Sequence, residues 1–174
     1  MTGLKEKIIL LLADFPEKEF YGEEIARRIK CSKASASNLL KNLSKSGLTS
    51  RQERGHMKFY RINPRSAEVK ALKINTVIGQ IKPILPKLAK FSDRIILFGS
   101  ASRGEQTSGS DLDLFIIARN KNNIRKILEK FEAMLPIKAI IKTFAEWSEM
   151  EIREPEFFWE VKSGITLHEY VPRI

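Results

Sequence analysis

The sequence has little of what builds disulfides, zinc clusters or membrane spans. Cys31 is the only cysteine among 174 residues, so no internal disulfide can form and no cysteine cluster exists for zinc. The longest early apolar run, Ile8 to Ala13, is far shorter than the ~20 residues that cross a bilayer, and Asp14 ends it. No signal-peptide pattern is present at the start. The sequence therefore predicts a cytoplasmic protein that has no membrane partner.

Positive charge, by contrast, is abundant and unevenly distributed. Lysine and arginine number 31 against 21 acidic residues, which gives a net charge of +10. Residues 1–90 hold 19 basic and 8 acidic residues, whereas residues 91–174 hold 12 and 13. A strongly basic chain favours a polyanionic partner. The asymmetry favours two domains, of which only the first meets nucleic acid through its bulk charge.

The apolar spacing of the first fifty residues predicts three helices. They span 4–13, 23–30 and 33–45, and Ser32 is the predicted N-cap of the third helix. The bulky apolar residues of the third helix share one side. The other side has only small residues, an amide and lysines, which suits a helix lying in a DNA major groove. The residues of this surface are Lys33, Ala34, Ser37, Asn38, Lys41 and Lys45.

A basic β-hairpin is predicted to follow the helices. Its strands span 48–53 and 58–62. Three helices followed by such a hairpin resemble the winged-helix form of helix-turn-helix proteins. The resemblance implies that the third helix reads bases in double-stranded DNA and that the hairpin contacts phosphate or the minor groove. The hairpin residues assigned to this interface are Arg51, Arg54, His56 and Lys58. The alternative is a charged, solvated helix and hairpin on a protein-interaction domain.

The segment 65–90 has a helical apolar pattern that Pro83 and Pro86 are expected to kink or split. This pattern is longer than a passive linker needs, so the segment is expected to pack between domains or to form a dimer seam. Winged-helix regulators usually dimerise on two-fold DNA sites. We therefore expect a homodimer.

The segment Leu97–Ile117 contains two aspartates at the start of a predicted strand. Alternation along the strand places Asp111 and Asp113 on one face and the intervening leucines in the core. Neighbouring carboxylates repel each other, and a hard divalent cation such as Mg²⁺ or Mn²⁺ relieves the repulsion while binding phosphate oxygens. Upstream, the turn at Gly99 and Ser100 offers backbone N–H groups to an anion. The pattern therefore favours a nucleoside triphosphate bound together with a metal ion.

The spacing of this motif is more specific than the aspartates alone. Gly-Ser, ten residues, then Asp-Leu-Asp between two apolar strands resembles the DNA polymerase β-like nucleotidyltransferases, and most closely the minimal nucleotidyltransferase domains of prokaryotes. The matching segments are Phe98-Gly99-Ser100, Arg103-Gly104 and Ser110-Asp111-Leu112-Asp113-Leu114. The resemblance implies that Asp111 and Asp113 are catalytic and bind the metal. It also implies that Gly99, Ser100, Arg103 and Ser110 contact the nucleotide.

These resemblances together predict an α+β architecture. A winged helix-turn-helix domain would occupy residues 1–64, a helical connector 65–90, and a small nucleotidyltransferase-fold mixed sheet with flanking helices 91–174. After the aspartates, the pattern predicts a helix at 123–134, a strand at 137–144, a helix at 156–163 and a strand at 165–170. This order fits the small mixed sheet that the resemblance implies.

One position departs from the family pattern. Related domains carry a third carboxylate early on the strand that follows the helix, where it binds a second metal and activates the attacking hydroxyl. Here that strand contains no acid, and Lys138 stands about where the acid is expected. A lysine there would repel a second metal but would neutralise a phosphate. Glu146 and Glu149, both after the strand, are the alternative donors.

Three functions remain open from the sequence. The first is a DNA-binding transcriptional regulator whose second domain binds a nucleoside triphosphate as a signal, with little or no catalysis. The second is an active nucleotidyltransferase that modifies a protein partner, as antitoxins of the resembling family do. The third is a non-catalytic interaction scaffold. The missing acid favours the first over the second, and the retained motif counts against the third.

Overall fold

The structure, a computed structural model, describes residues 3–171. The chain divides into two compact units, Met1–Lys73 and Ile74–Ile174. The division falls inside the segment that the sequence analysis treats as a connector. None of the helices found in residues 3–171 combines the length and the apolar character needed to cross a bilayer.

The first unit consists of helices and a three-stranded antiparallel sheet. Its elements are α1 (Leu4–Ala13), β1 (Phe20–Tyr21), α2 (Gly22–Ile29), α3 (Lys33–Lys45), β2 (Thr49–Arg54) and β3 (Met57–Ile62). The strand order is β1-β3-β2, with β2 and β3 forming the hairpin. The core gathers the apolar sides of the helices on the inner face of the hairpin, and its largest fully buried residues include Ile8, Leu12, Phe20, Ile25, Leu40 and Leu43.

Local sequence signals predict this unit closely. The first and third helices are confirmed to the residue, and the Ser32 hydroxyl accepts a hydrogen bond from the Ser35 amide at 3.0 Å. The hairpin strands lie within one residue of their predicted ends. The second helix stops at Ile29 because Lys30 adopts a left-handed conformation (φ 59°). Strand β1 cannot be predicted from the sequence, since two residues are too few to show alternation and only the pairing with β3 makes them a strand.

Helix α4 (Ala67–Ile81) contributes to both units. Val69 is buried in the first core, whereas Val77 and Ile81 are buried in the second. Helix α5 (Leu85–Ala89) follows after a short break at Pro83, which confirms the predicted split of the 65–90 segment.

The second unit is built on a four-stranded mixed sheet. Its further elements are β4 (Ser92–Phe98), α6 (Gly99–Ser102), β5 (Leu112–Ala118), α7 (Lys121–Glu129), β6 (Ile137–Lys142), α8 (Phe144–Arg153), α9 (Pro155–Lys162) and β7 (Ile165–Glu169). The strand order is β6-β5-β4-β7, in which β5 and β6 are parallel and the other pairs are antiparallel. The predicted α+β class is therefore confirmed, with a mixed sheet and flanking helices.

Helices cover both faces of this sheet. On one face, strand residues such as Leu112, Leu114 and Ile116 form a core with Val77, Ile81, Leu88 and Ile124. On the other face, Phe115 and Ile117 form a core with Trp147 and Met150 of α8 and with Phe158 and Val161 of α9. By strand alternation, the Asp113 side chain lies on the same face as Phe115 and Ile117, near the start of β5 and beyond the edge of that core.

Two predicted elements of this unit are too long. The helix predicted at 123–134 ends at Glu129. The chain must return to the start of β6, where the Pro136 carbonyl accepts a hydrogen bond from the Leu112 amide at 2.8 Å. The chain therefore leaves the helix in a turn at Lys130 and returns through residues 131–136, which are neither helix nor strand.

The strand predicted at 137–144 ends at Lys142 because Thr143 starts a helix that the sequence analysis misses. The Thr143 hydroxyl accepts from the Glu146 amide, and the Glu146 carboxylate accepts from the Thr143 amide. This helix, α8, buries only Trp147 and Met150. Two buried positions are too few to give a clear helical period.

The charge on Glu146 is expected to stabilise the second unit in a pH-dependent way. Hydrogen bonds from Lys121 and from Thr143 lower the pKa of Glu146 to about 2. Because the pKa is lower in the folded chain, the stabilisation is complete above about pH 4.5 and is lost as the pH falls towards 2. We expect Glu146→Gln to lower the midpoint of thermal unfolding at pH 7, with a deficit that shrinks below pH 4.5.

Tryptophan fluorescence is the appropriate measurement, because both tryptophans, Trp147 and Trp159, lie in the second unit. Glu149→Gln is the matched control, since its carboxylate is on the same helix and pairs with the exposed Arg153, at 3.4 Å. Equal losses of thermal stability in the two variants at pH 7 would contradict the capping role of Glu146.

Candidate functional site

The Gly-Ser turn and the aspartates meet at one end of β4 and β5. The antiparallel register pairs Phe98 with Asp113, so the residue after Phe98 lies directly under the Asp113 carboxylate. Gly99 has a left-handed backbone (φ 67°), and a Cβ atom there would stand 2.5 Å from Asp113 Oδ2. Only glycine satisfies both conditions. The tertiary structure thus brings together two parts of the motif that are fourteen residues apart in the sequence.

The loop between β4 and β5 is held mainly by its own hydrogen bonds. The Ser100 carbonyl accepts from the Glu105 amide at 2.9 Å, and the Ser102 hydroxyl donates to the Gly99 carbonyl at 2.8 Å. The Ser110 hydroxyl accepts from the Thr107 amide at 2.9 Å. Ser110 therefore closes the turn that leads into Asp111.

Arg103, predicted to contact the nucleotide, forms an exposed ion pair in this structure. Its Nε atom donates to Glu105 two residues later, at 3.1 Å. Exposed pairs of this kind contribute little to stability, so exchange of Glu105 for a phosphate would cost little. The assignment of Arg103 to the nucleotide stays a prediction.

Lys138 lies beside both aspartates. The parallel register of β5 and β6 pairs Lys138 with Asp113, so both side chains leave the sheet on the same face. Lys138 Nζ is 2.5 Å from Asp111 Oδ2. The side chain of Lys138 is 70% exposed and that of Asp111 is 30% exposed. A cation therefore stands at the strand position where the family pattern has an acid.

Electrostatic interactions at the site involve a further acid from α9. Burial raises the pKa of Asp113, the Lys138 ammonium opposes this, and the charges of Asp111 and Glu160 raise the pKa further. Sequence reasoning does not find Glu160, because no motif contains it. Only the packing of α9 against the sheet, where Gly164 leaves no room for a Cβ beside the Leu97 carbonyl, brings Glu160 within range of Asp113.

The donor set fits one divalent cation. Mg²⁺ is commonly held by one or two carboxylates together with substrate phosphates, and Asp111 and Asp113 supply two carboxylates on one face. The Lys138 ammonium already occupies Asp111 as a stand-in cation. Across residues 3–171, no group of three or more His, Cys, Asp or Glu side chains is arranged to hold a metal ion.

Both alternative acids, Glu146 and Glu149, have other partners in this structure. Glu146 caps α8, which begins beyond the far end of β6 from Lys138. Lys138 and Thr143, the N-cap of α8, are five residues of extended chain apart, a distance of about 16 Å. Glu149 lies in the next turn of α8 and pairs with Arg153. Neither of these contacts involves the aspartates, and replacement of the missing carboxylate by either acid stays a prediction.

In the first unit, all ten residues that the sequence analysis assigned to DNA are exposed. A pocket of about 190 Å³ between α3 and the hairpin is lined by four of them, namely Lys33, Ser37, His56 and Lys58. Its remaining wall comes from Tyr21, Gly22, Glu23, Leu40 and Tyr60.

The basic residues of this surface differ in their partners. Lys33 pairs with Glu23 at 2.7 Å, Arg51 with Glu53, and Arg54 with Glu19 at 2.6 Å. Within residues 3–171, Lys41, Lys45 and Lys58 form no ion pair, so these three cations are available to an external anion.

The hairpin register separates two of the assigned residues. Lys58 shares a face with the buried Tyr60 and faces α3, whereas Arg54 lies on the opposite face, over the Phe59 ring. The structure thus groups Lys58 with α3 and sets Arg54 apart from it.

A four-stranded mixed sheet with a Gly-Ser turn against paired strand aspartates defines the second unit as a nucleotidyltransferase-type α+β domain. The family model described as "Nucleotidyltransferase domain" matches residues 78–165, and the chain belongs to this family. No curated protein and no solved structure matches the chain.

The close approach of Gly99 to Asp113 generates a direct prediction. Gly99→Ala places a methyl group 2.5 Å from Asp113 Oδ2 on a left-handed backbone, so we expect it to destabilise the second unit by about 2 kcal/mol. Urea unfolding followed by tryptophan fluorescence measures the decrease.

Gly109→Ala is the matched control in the same loop. Nothing lies within 4 Å of a Cβ at that position, so its effect should stay within about 0.5 kcal/mol. Equal stability of the Gly99→Ala variant and the wild type would contradict the proposed close approach.

Proposed function

We propose that the protein is a DNA-binding transcriptional regulator whose nucleotidyltransferase domain binds a nucleoside triphosphate with Mg²⁺ or Mn²⁺ as a ligand. The observation that carries this proposal is the position of Lys138. A cation paired with Asp113 across the strands and bonded to Asp111 leaves two carboxylates for a metal, while a lysine stands where the acceptor-activating acid is expected.

The nucleotide-binding half of the site supports the proposal first. Asp111 and Asp113 would hold one metal ion, and the Gly99-Ser100 backbone would contact the β- and γ-phosphates. Arg103, exposed nearby, would add positive charge to the phosphates. When bound, the metal would neutralise phosphate charge and polarise the phosphoryl group.

The part of the site that would activate an acceptor hydroxyl supports nucleotide binding over rapid nucleotide transfer. Nucleotidyl transfer is an in-line attack of an acceptor hydroxyl on the α-phosphate, with release of pyrophosphate, and a base must take the hydroxyl proton. The hydrogen bond to Asp111 raises the pKa of Lys138, so this residue stays an ammonium at neutral pH and accepts no proton. Glu146 and Glu149 are engaged elsewhere.

The first unit supports the DNA-binding half of the proposal. Helix α3 would lie in the major groove through Ala34, Ser37 and Asn38, and the cations of α3 and the hairpin would bind phosphates. A helix and a basic hairpin that share one exposed surface have the arrangement of a winged helix. We propose that the protein binds double-stranded DNA as a homodimer, because paired half-sites require two copies.

A second candidate function is nucleotide transfer to a protein partner. It is favoured by the membership of the chain in the nucleotidyltransferase family and by the two carboxylates of Asp111 and Asp113 beside the Gly-Ser turn. Release of pyrophosphate in the presence of a protein acceptor would establish this function.

Binding of triphosphate is expected to require Asp113. Calorimetric titration of each nucleoside triphosphate with Mg²⁺ should give saturable binding to the wild type and an affinity at least about tenfold weaker in Asp113→Asn, because the amide does not ligate the metal as a carboxylate does. Since burial raises the pKa of Asp113, the neutral amide should not destabilise the fold.

Asp93→Asn is the control for this titration. Asp93 also lies on the sheet, but it pairs with Arg119 at 3.3 Å near the other end of β4. Equal binding by the Asp113→Asn and Asp93→Asn variants, or no binding by the wild type, would exclude the proposed nucleotide site.

Binding of DNA is expected to depend on the unpaired lysines of α3. In a fluorescence anisotropy titration with a labelled duplex, Lys41→Gln/Lys45→Gln should weaken binding. It should also reduce the slope of log K against log salt by about 1 for each lysine that binds a phosphate in the wild type.

Lys7→Gln/Lys82→Gln removes the same charge from two exposed lysines that form no ion pair within residues 3–171, and it serves as the control. If both double variants weaken binding equally, net charge alone explains the affinity and α3 is not the interface. A DNA site selected from a randomised duplex library should bind more tightly than random sequence.

A further inference from the structure

Lys138 reaches the acidic pair from the edge of the sheet. Strand β6 is an outer strand in the order β6-β5-β4-β7, and its register fixes the Lys138 backbone beside Asp113. The four-carbon side chain then extends to Asp111, with Nζ at 2.5 Å from Oδ2. This one interaction therefore places a positive charge beside two carboxylates, Asp111 and Asp113, that strand alternation holds on the same face.

The Lys138 ammonium can leave Asp111 for another anion without disturbing the fold. The Lys138 side chain is 70% exposed and has no other ion pair within residues 3–171. Asp111 is more buried, at 30% exposure, and Lys138 is its ion-pair partner. The carboxylate is thus fixed, whereas the ammonium is on a flexible stem and can move to another anion without disturbing the packing.

A bare divalent cation meets opposition at this site. Lys138 occupies the oxygen of Asp111 that a metal would need, and its positive charge repels a second cation close by. A metal that arrives with a triphosphate meets no such opposition. The phosphate oxygens supply ligands for the metal and a new anionic partner for the displaced ammonium.

We propose that Lys138 is a built-in counter-ion that makes metal binding at Asp111 and Asp113 depend on the triphosphate. Without nucleotide, Lys138 holds Asp111 and excludes the metal. With nucleotide, the metal takes Asp111 and Lys138 pairs with a phosphate. This proposal rests on the nucleotide binding proposed above and makes the site respond to the metal–triphosphate complex rather than to either component.

Mn²⁺ binding to the full-length chain tests the proposal without any catalytic assay. Electron paramagnetic resonance of free Mn²⁺ gives its affinity in the absence and in the presence of a triphosphate whose α–β bridge is a methylene group. Lys138→Met, which keeps the length of the side chain without its charge, should bind Mn²⁺ alone about tenfold more tightly than the wild type. Its gain in Mn²⁺ affinity on adding the triphosphate should be smaller than that of the wild type.

Two variants define the controls. Lys138→Arg keeps the positive charge and should bind Mn²⁺ alone as weakly as the wild type. Asp111→Asn/Asp113→Asn removes the site and defines the Mn²⁺ bound elsewhere or by the triphosphate itself. Because Lys138 is exposed and arginine keeps its charge, Lys138→Arg should keep the thermal stability of the wild type.

The outcomes separate this inference from the proposed function. Equal affinity of Lys138→Met and the wild type for Mn²⁺ alone would overturn the counter-ion role, even where the triphosphate binds well. Failure of the wild type to bind the triphosphate under any metal condition would instead overturn the proposed function. Tighter binding of Mn²⁺ alone to Lys138→Met, together with a reduced nucleotide effect, would establish the counter-ion role.

Discussion

The close approach of the Gly99 backbone to the Asp113 carboxylate is the constraint on which the site depends. It requires a residue without a Cβ at a left-handed position, and it requires the register that pairs Phe98 with Asp113. That register in turn comes from two strands buried on both faces, because a slip of one residue would move every apolar side chain to the wrong side. The packing of the sheet therefore fixes the position of the acid.

Charge balance is the second determinant of the site. Partial burial and two neighbouring carboxylates disfavour the ionised form of Asp113, so a cation is needed nearby whatever the function. The chain supplies one itself through Lys138, whereas a two-metal site would rely on bound metal ions and a third carboxylate. The lysine thus takes the place of an acceptor-activating acid and adds an internal counter-ion. These two effects favour binding of a nucleotide over its rapid transfer.

In the first unit, ion pairs likewise determine which basic residues remain free to bind an external anion. Acidic residues of α2, β2 and the segment before β1 take up Lys33, Arg51 and Arg54, so the strong positive charge of residues 1–90 is partly neutralised where it was expected to bind DNA. Three of the lysines that form no ion pair within residues 3–171, namely Lys41, Lys45 and Lys58, lie on α3 and on the hairpin face beside it. The surface that offers unpaired positive charge to DNA is therefore smaller than the net charge of residues 1–90 implies.

The sequence by itself determined the elements whose signals are local. The apolar periods of α1 and α3 and the Ser32 cap predicted the bounds of these helices. Strand alternation, which acts within a few residues, predicted that Asp111 and Asp113 share a face. Tertiary structure decided what depends on distant partners. Strand β1 exists only through β3, α7 ends where the chain must return to β6, and Lys138 and Glu160 reach the aspartates only through sheet register and helix packing. Such interactions leave no periodic trace in the sequence, since their energy comes from residues brought together by folding.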